Sequence, residues 1–185
     1  MPLFPVGEEI PVFYTEPQWF IGIVKPLHER KAAEKLRLNG VEFFLAEQTV
    51  KRKWSDRIKK VQVLLLPRYI FIHCLNSERV DILQNVRSIT HFLMDRDTNL
   101  PAVVREDQLD RFRRMVEYED IPVTIDQTVF AVGDRVRVKY GPLIDRECEL
   151  VEVSGKKCVA VSLGPLGTAR IDLPLSQIEL LNKEE

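Results

Sequence analysis

The sequence predicts an α+β protein: an N-terminal βαββαβα sandwich with an antiparallel sheet, followed by a small C-terminal β-barrel. Three observations predict it. Strand-like apolar runs alternate with helix-like segments from Gln18 to Val116. After Val132 the pattern changes to short strands cut by turn signals. The charge also changes sign: residues 19–116 hold nineteen Lys and Arg against twelve Asp and Glu, whereas residues 117–185 hold eight against thirteen, which suggests two modules with different partners.

Residues 1–17 contain four prolines and read as an irregular arm. QWFIGIVK (Gln18–Lys25) is a compact run of bulky apolar residues, which suits a central strand. Pro26 fits the first turn of a helix over residues 27–38, where strong helix formers place Ala32, Ala33 and Leu36 on one side and His28, Lys31 and Lys35 on another. Asn39-Gly40 ends it, as glycine at a helix C-terminus does. Val41–Trp54 and Lys59–Cys74 read as strands joined by a polar Ser55-Asp56-Arg57 turn. Together they form a strongly basic hairpin carrying Lys51, Arg52, Lys53, Arg57, Lys59 and Lys60. Pro67 implies a bend or an edge position. A short helix over 77–85, capped by Asn76 or Ser77, a strand over Ser88–Met94 and a helix over 105–116 with Leu109, Phe112 and Val116 at helical spacing complete the front module, residues 18–116.

Residues 117–129 are acidic and poorly periodic, hence a linker. Residues 130–182 contain five short strand patterns separated by Gly133-Asp134, Gly141-Pro142, Ser154-Gly155 and Gly164-Pro165, the spacing of a small barrel.

Composition excludes several classes. Hydrophobic residues at 45% and charged residues at 30% describe a folded chain, long enough for two small domains. No apolar run reaches the roughly 18–20 residues that span a bilayer, and the prolyl N-terminus lacks the basic start of a signal peptide, so a cytoplasmic protein is expected. Cys74, Cys148 and Cys158 include no CxxC pair and are expected to be reduced and partly buried, although Cys148 and Cys158 could meet across a hairpin. His28, His73 and His91 lie in separate elements without metal-binding spacing. No nucleophile motif occurs, and GPLGTAR (Gly164–Arg170) lacks the lysine and helix of a phosphate loop and reads as a hairpin turn. Neither an enzyme nor a cofactor or metal site is therefore expected. One strand does ask for a partner. Leu66, Ile70, Ile72 and Cys74 alternate with Tyr69, Phe71 and His73, so both faces are largely apolar, while the few helices of this module cover one face; the Tyr69/Phe71 face is either an apolar surface for a partner or is covered by a helix, the N-terminal arm or the barrel.

These residues resemble the NusG family of transcription elongation factors. The marks are the Trp19-led first strand, the helix ending at Gly40, the basic hairpin, LLLPRYIFI (Leu64–Ile72) and VRSITHFL (Val86–Leu93). GDRVRVKYGPLIDRECELVEV (Gly133–Val153) is similar to a KOW motif, which makes the C-terminal barrel SH3-like. The resemblance implies a monomeric elongation or antitermination factor whose N-terminal domain binds the clamp helices of RNA polymerase. The matching apolar positions are Ile23, Leu66, Tyr69 and Phe71. It further implies contact of Lys25, Lys31, Lys35 and Arg87 with non-template or upstream DNA. Gly141, Pro142 and Leu143, at the exposed turn of the KOW domain, would meet a ribosomal protein or a termination factor. Two departures, Cys148 where the KOW pattern carries glycine and the prolyl arm, suggest a specialised paralogue, and the chain as a whole is similar to operon-specific antiterminators of polysaccharide gene clusters. The competing reading is a ribosome-associated or RNA-binding KOW protein, though the acidic barrel argues against it.

Overall fold

A computed structural model describes residues 15–53, 57–96, 98–118, 121–126, 135–141, 143–153, 156–173 and 177–180. Most of the arm over 1–17, the Ser55-Asp56 turn, Gly133-Asp134, Pro142 and Ser154-Gly155 lie outside the described residues. The chain divides into two compact units, Met1–Leu45 with Arg68–Arg105 and Ala46–Pro67 with Glu106–Glu185. This division differs from the one expected, because the basic hairpin and the helix after Arg105 group with the C-terminal strands. No helix among the described residues is long and apolar enough to cross a membrane.

The first unit is built on β1 (Gln18–Val24), α1 (Glu29–Leu38) and β2 (Glu42–Phe44). The second unit then contributes β3 (Glu47–Lys53) and β4 (Ile58–Leu64). The first resumes with β5 (Tyr69–Cys74), a 3₁₀ turn (Asn76–Glu78), α2 (Arg79–Asn85), β6 (Ile89–Phe92) and β7 (Val103–Val104). Its sheet runs β2-β5-β1-β6 among the described residues, with β7 also paired to β1, and every pairing is antiparallel. Side chains alternate between the two faces of this sheet. Phe20 and Val24 of β1 and Ile70, Ile72 and Cys74 of β5 pack with Ala32, Ala33 and Leu36 of α1 and Ile82 of α2 in one core. Gly22 lies among them: a Cβ there would stand 3.0 Å from Ile72 Cδ1 and 3.3 Å from Ile70 Cγ2, so glycine lets the isoleucines close over the strand.

Helix α1 stops as its sequence predicts. Gly40 takes φ +70°, its N–H donates to Arg37 O, and the Val41 N–H donates to Leu36 O at 3.0 Å, the paired bonds of a glycine-terminated helix. The stretch Val41–Trp54, read as one strand, is two, because the ladder breaks at Leu45-Ala46. Pro67 breaks the other stretch as read, between β4 and β5.

The second unit adds α3 (Glu106–Glu117), β8 (Thr124–Asp126), β9 (Arg135–Val138), β10 (Glu147–Val153), β11 (Lys156–Ser162), a 3₁₀ turn (Gly164–Leu166), β12 (Thr168–Ile171) and β13 (Ile178–Leu180). Among the described residues these form an antiparallel sheet ordered β13-β9-β10-β11-β12-β8. Strand β8 falls in the stretch read as a linker and pairs with β12 through Thr124↔Arg170 to Asp126↔Thr168. Helix α3 buries Leu109, Phe112, Met115 and Val116 along one stripe. Its exposed side carries Arg111–Asp107 and Arg114–Asp110 ion pairs at 3.2 and 3.0 Å.

Hairpin β3–β4 is fixed at its base by Gln48, whose side chain is fully buried. Its Nε2 donates to Tyr118 O at 3.1 Å and Ile121 O at 2.9 Å, and its Oε1 accepts the Val123 N–H at 3.0 Å. One amide thus satisfies three backbone groups of the segment leading into β8.

Candidate functional site

Helices α1 and α2 pack on one face of the first sheet, and on the opposite face Trp19, Ile21 and Phe71 are also buried. Strand register brings Trp19 opposite His73, Ile21 opposite Phe71 and Ile23 opposite Tyr69 on that face. The Trp19 and His73 rings stack with centroids 4.8 Å apart, and Phe44 of β2 stacks on Phe71 at 5.9 Å. Of the four positions expected to offer apolar surface, Ile23 and Tyr69 are half-buried and directly paired across β1 and β5. The other two are buried: Phe71, which stacks against the cross-strand Phe44 ring, and Leu66, in the second unit, in the turn ahead of Pro67. Alternation assigned Phe71 to the right side of its strand but not its depth.

At the Tyr69 end of this face the chain gathers cations from three segments. The Lys25 N–H donates to Ser88 O at 2.9 Å, which sets the residue after β1 against the turn that carries Arg87. The Val24 N–H donates to Arg68 O at 2.7 Å on the other side, and the Arg68 N–H donates to the buried Glu29 carboxylate at 2.9 Å. Lys25, Arg68 and Arg87 are all exposed, as are Lys31 and Lys35 on the outer side of α1. Sequence reasoning missed Arg68. Its signal was its place directly after Pro67, at the head of the aromatic strand. Beside this cluster Leu27 is 96% exposed, with φ +63°.

The turn between β9 and β10 also differs from expectation. Gly141 takes φ +97° and Pro142 lies outside the described residues, but Leu143 is fully buried. The Asp145 N–H donates to Val138 O at 2.8 Å with φ +60°, which turns Leu143 inward and leaves Tyr140 and Ile144 as the exposed apolar side chains, 60% and 53% accessible. Cys148 sits in β10 opposite Val136, outside the left-handed region, so the position resembling a KOW glycine needs no glycine here.

Catalytic groupings do not converge among the described residues. His28 contacts Pro26 O, His73 pairs with Glu42 at 3.0 Å, and His91 contacts Thr90. No group of three metal-ligating side chains occurs among the described residues. A cavity of about 420 Å³ lies between α1, α2 and β5, but its polar lining serves the fold: Glu42 holds His73 and Glu78 accepts the Leu75 N–H at 2.7 Å.

All three cysteines are free and buried, and Cys148 and Cys158 face Val136 and Val151 across their ladders instead of each other. Burial pushes the Cys74 thiol up to about 12 and the Cys148 thiol up to about 11, and raises Cys158 as well. A thiol reagent at pH 8 will therefore label none of the three in the folded protein and all of them in denaturant, as mass spectrometry will read. Because the folded values lie above the unfolded one near 9, the unfolded chain loses these protons first. The thiols' contribution to stability holds below pH 9 and is lost as pH climbs from there through about 11 for Cys148 and about 12 for Cys74.

A family model described as "Transcription termination factor nusG" matches residues 17–113, just over half of the chain. No curated relative matches. Among solved structures the chain is similar to one described as "Domain interaction in Thermotoga maritima NusG", at 20% identity and a TM-score of 0.48, covering 91% of this chain and 99% of that one. It is also similar to one described as "Crystal Structure of MjSpt4:Spt5 complex conformation B", at 12% identity and a TM-score of 0.31, covering 90% and 99% respectively.

Proposed function

We propose, for a chain that belongs to the NusG family by its match over residues 17–113, that it acts on transcription elongation by docking on the clamp helices of RNA polymerase through the Ile23–Tyr69 edge of the sheet face opposite α1 and α2. The observation that carries this reading is the directly opposed Ile23–Tyr69 pair, left half-buried on a face that neither α1 nor α2 covers. A half-buried aromatic beside an aliphatic side chain, on a rigid central pair of strands, is the kind of anchor that dominates protein interfaces. In this reading Lys25, Lys31, Lys35 and Arg87, joined by Arg68, hold non-template or upstream DNA beside the polymerase and suppress pausing or termination. The C-terminal turn meets a ribosomal protein or termination factor through Tyr140 and Ile144, with Gly141 setting the bend. The protein works as a cytoplasmic monomer by binding, without catalysis of its own, and serves polysaccharide biosynthesis operons.

The double charge reversal Lys31→Glu/Lys35→Glu tests the DNA half of the proposal. Binding to a reconstituted elongation complex will show a salt slope shallower by about 2, one unit for each phosphate that a lysine no longer neutralises. An unchanged slope would leave both lysines as ordinary solvated residues. Co-purification tests the whole: the protein will follow polymerase, and migration with ribosomal subunits instead would make it a ribosome-associated KOW protein.

A further inference from the structure

Glu29 is only 4% exposed, the one charged side chain so enclosed among the described residues. Taking a carboxylate out of water is costly unless strong donors meet it. Glu29 opens α1, where the N–H groups of the first turn favour a negative charge. One of its oxygens also accepts the Arg68 N–H at 2.9 Å, from 39 residues further along the chain.

The residue it holds is strained. Arg68 takes φ +71°, a conformation that a residue with a Cβ resists and that glycine adopts freely. Both backbone polar groups of Arg68 are tied down: its N–H by Glu29, and its carbonyl by the Val24 N–H at 2.7 Å. The carbonyl bond continues the β1–β5 ladder, and any residue at this position would make it. The amide bond depends on one side chain from another element. That side chain reaches Arg68 because the chain turns sharply after β1. Lys25 O accepts the His28 N–H at 3.1 Å, with Pro26 second in the turn and Leu27 third at φ +63°, so α1 starts close to the end of β1.

Tyr69 follows the strained residue directly, and Ile23↔Tyr69 is the last pair of the β1–β5 register at this end. The conformation of Arg68 therefore sets both the Tyr69 ring and the exposed Arg68 side chain. We propose that Glu29 is a positioning residue: by holding Arg68 in the left-handed conformation, it keeps the polymerase anchor Tyr69 and the cation beside it in place. The inference rests on the docking surface proposed above. With Arg68 released, only a fraction of the molecules is competent to dock, and apparent affinity falls by that fraction.

The test measures the affinity of the full chain for core RNA polymerase free of nucleic acid, so that contact of Arg68 with DNA does not enter. Glu29→Ala removes the acceptor and is expected to bind about tenfold more weakly. Glu29→Gln keeps an oxygen acceptor and will stay within about twofold of the parent. Glu29→Ala/Arg68→Gly will recover most of the lost affinity, because glycine takes the positive φ without help. Thermal melts establish that folded proteins are compared. Should Glu29→Ala not fold, Glu29→Asp takes its place with the same expectations, since its shorter side chain keeps the charge but falls short of the Arg68 N–H. Parental affinity in the folded variant would overturn the positioning role. So would a glycine double variant no tighter than the single one, or a Glu29→Gln protein as weak as Glu29→Ala. Failure of the docking surface itself reads differently: Tyr69→Ala would then bind like the parent, and the positioning role would fall with it.

Discussion

Replacing Gln48 with leucine will lower the stability of the C-terminal unit by about 3 kcal/mol. Leucine is close in volume, so packing against the ribbon base is largely kept. What is lost is polar. The Tyr118 and Ile121 carbonyls and the Val123 N–H each lose the side-chain partner that now meets them within 3.1 Å. An unsatisfied buried backbone group costs about 1–3 kcal/mol, and the outer carbonyls, being only partly buried, recover some of that from water. Urea denaturation followed by circular dichroism will report the loss. Hydrogen exchange at the Val123 amide will localise it, since that N–H is the one donor of the three and loses its bond to Gln48. A change below about 0.5 kcal/mol would mean that the segment finds other partners and that the glutamine does not clamp it.

Tyr69→Ala will weaken binding to RNA polymerase by about 10- to 100-fold, the cost of truncating an aromatic anchor at an interface. Its melting temperature will fall little, because the ring is half-buried and lies outside the core formed with α1 and α2. Tyr69→Phe will keep most of the affinity if the ring's apolar area carries the contact. The comparison that makes this informative is Phe71→Ala. That ring is fully buried and stacked on Phe44, so its loss removes about 3–5 kcal/mol of folding stability and says nothing specific about docking. Unaltered polymerase binding by a folded Tyr69→Ala protein would refute the proposed surface.

Much of the fold was legible because its signals are local. Gly40 announced the end of α1, Pro67 the break before β5, and the spacing of Leu109, Phe112 and Val116 the stripe of α3. What escaped depends on residues far away in the chain. The burial of Phe71 involves Phe44, which arrives on a different strand and stacks against its ring. The inward turn of Leu143 follows from a left-handed Asp145, a conformation that no glycine advertises. Strand β8 has three residues, too few to show alternation, and exists because β12 offers it an edge. The candidate surface was legible in the same proportion. That Ile23 neighbours Tyr69 was implied by the family resemblance, whereas the arrival of Arg68 beside Lys25 required the register that places Arg68 O on the Val24 N–H. Nothing near Gln48 marks carbonyls seventy residues later as its acceptors.

The route of the backbone has a practical consequence for dissecting this protein. The chain passes between its units at Leu45-Ala46, at Pro67-Arg68 and at Arg105-Glu106. A single protease nick therefore releases neither unit whole. A fragment begun just after Glu117 would carry β8 to β13 but abandon α3 and the glutamine that anchors its leading residues, so its amino end would fray in spectra of the excised piece. Faithful halves of this molecule have to be made by rerouting connections, not by truncation.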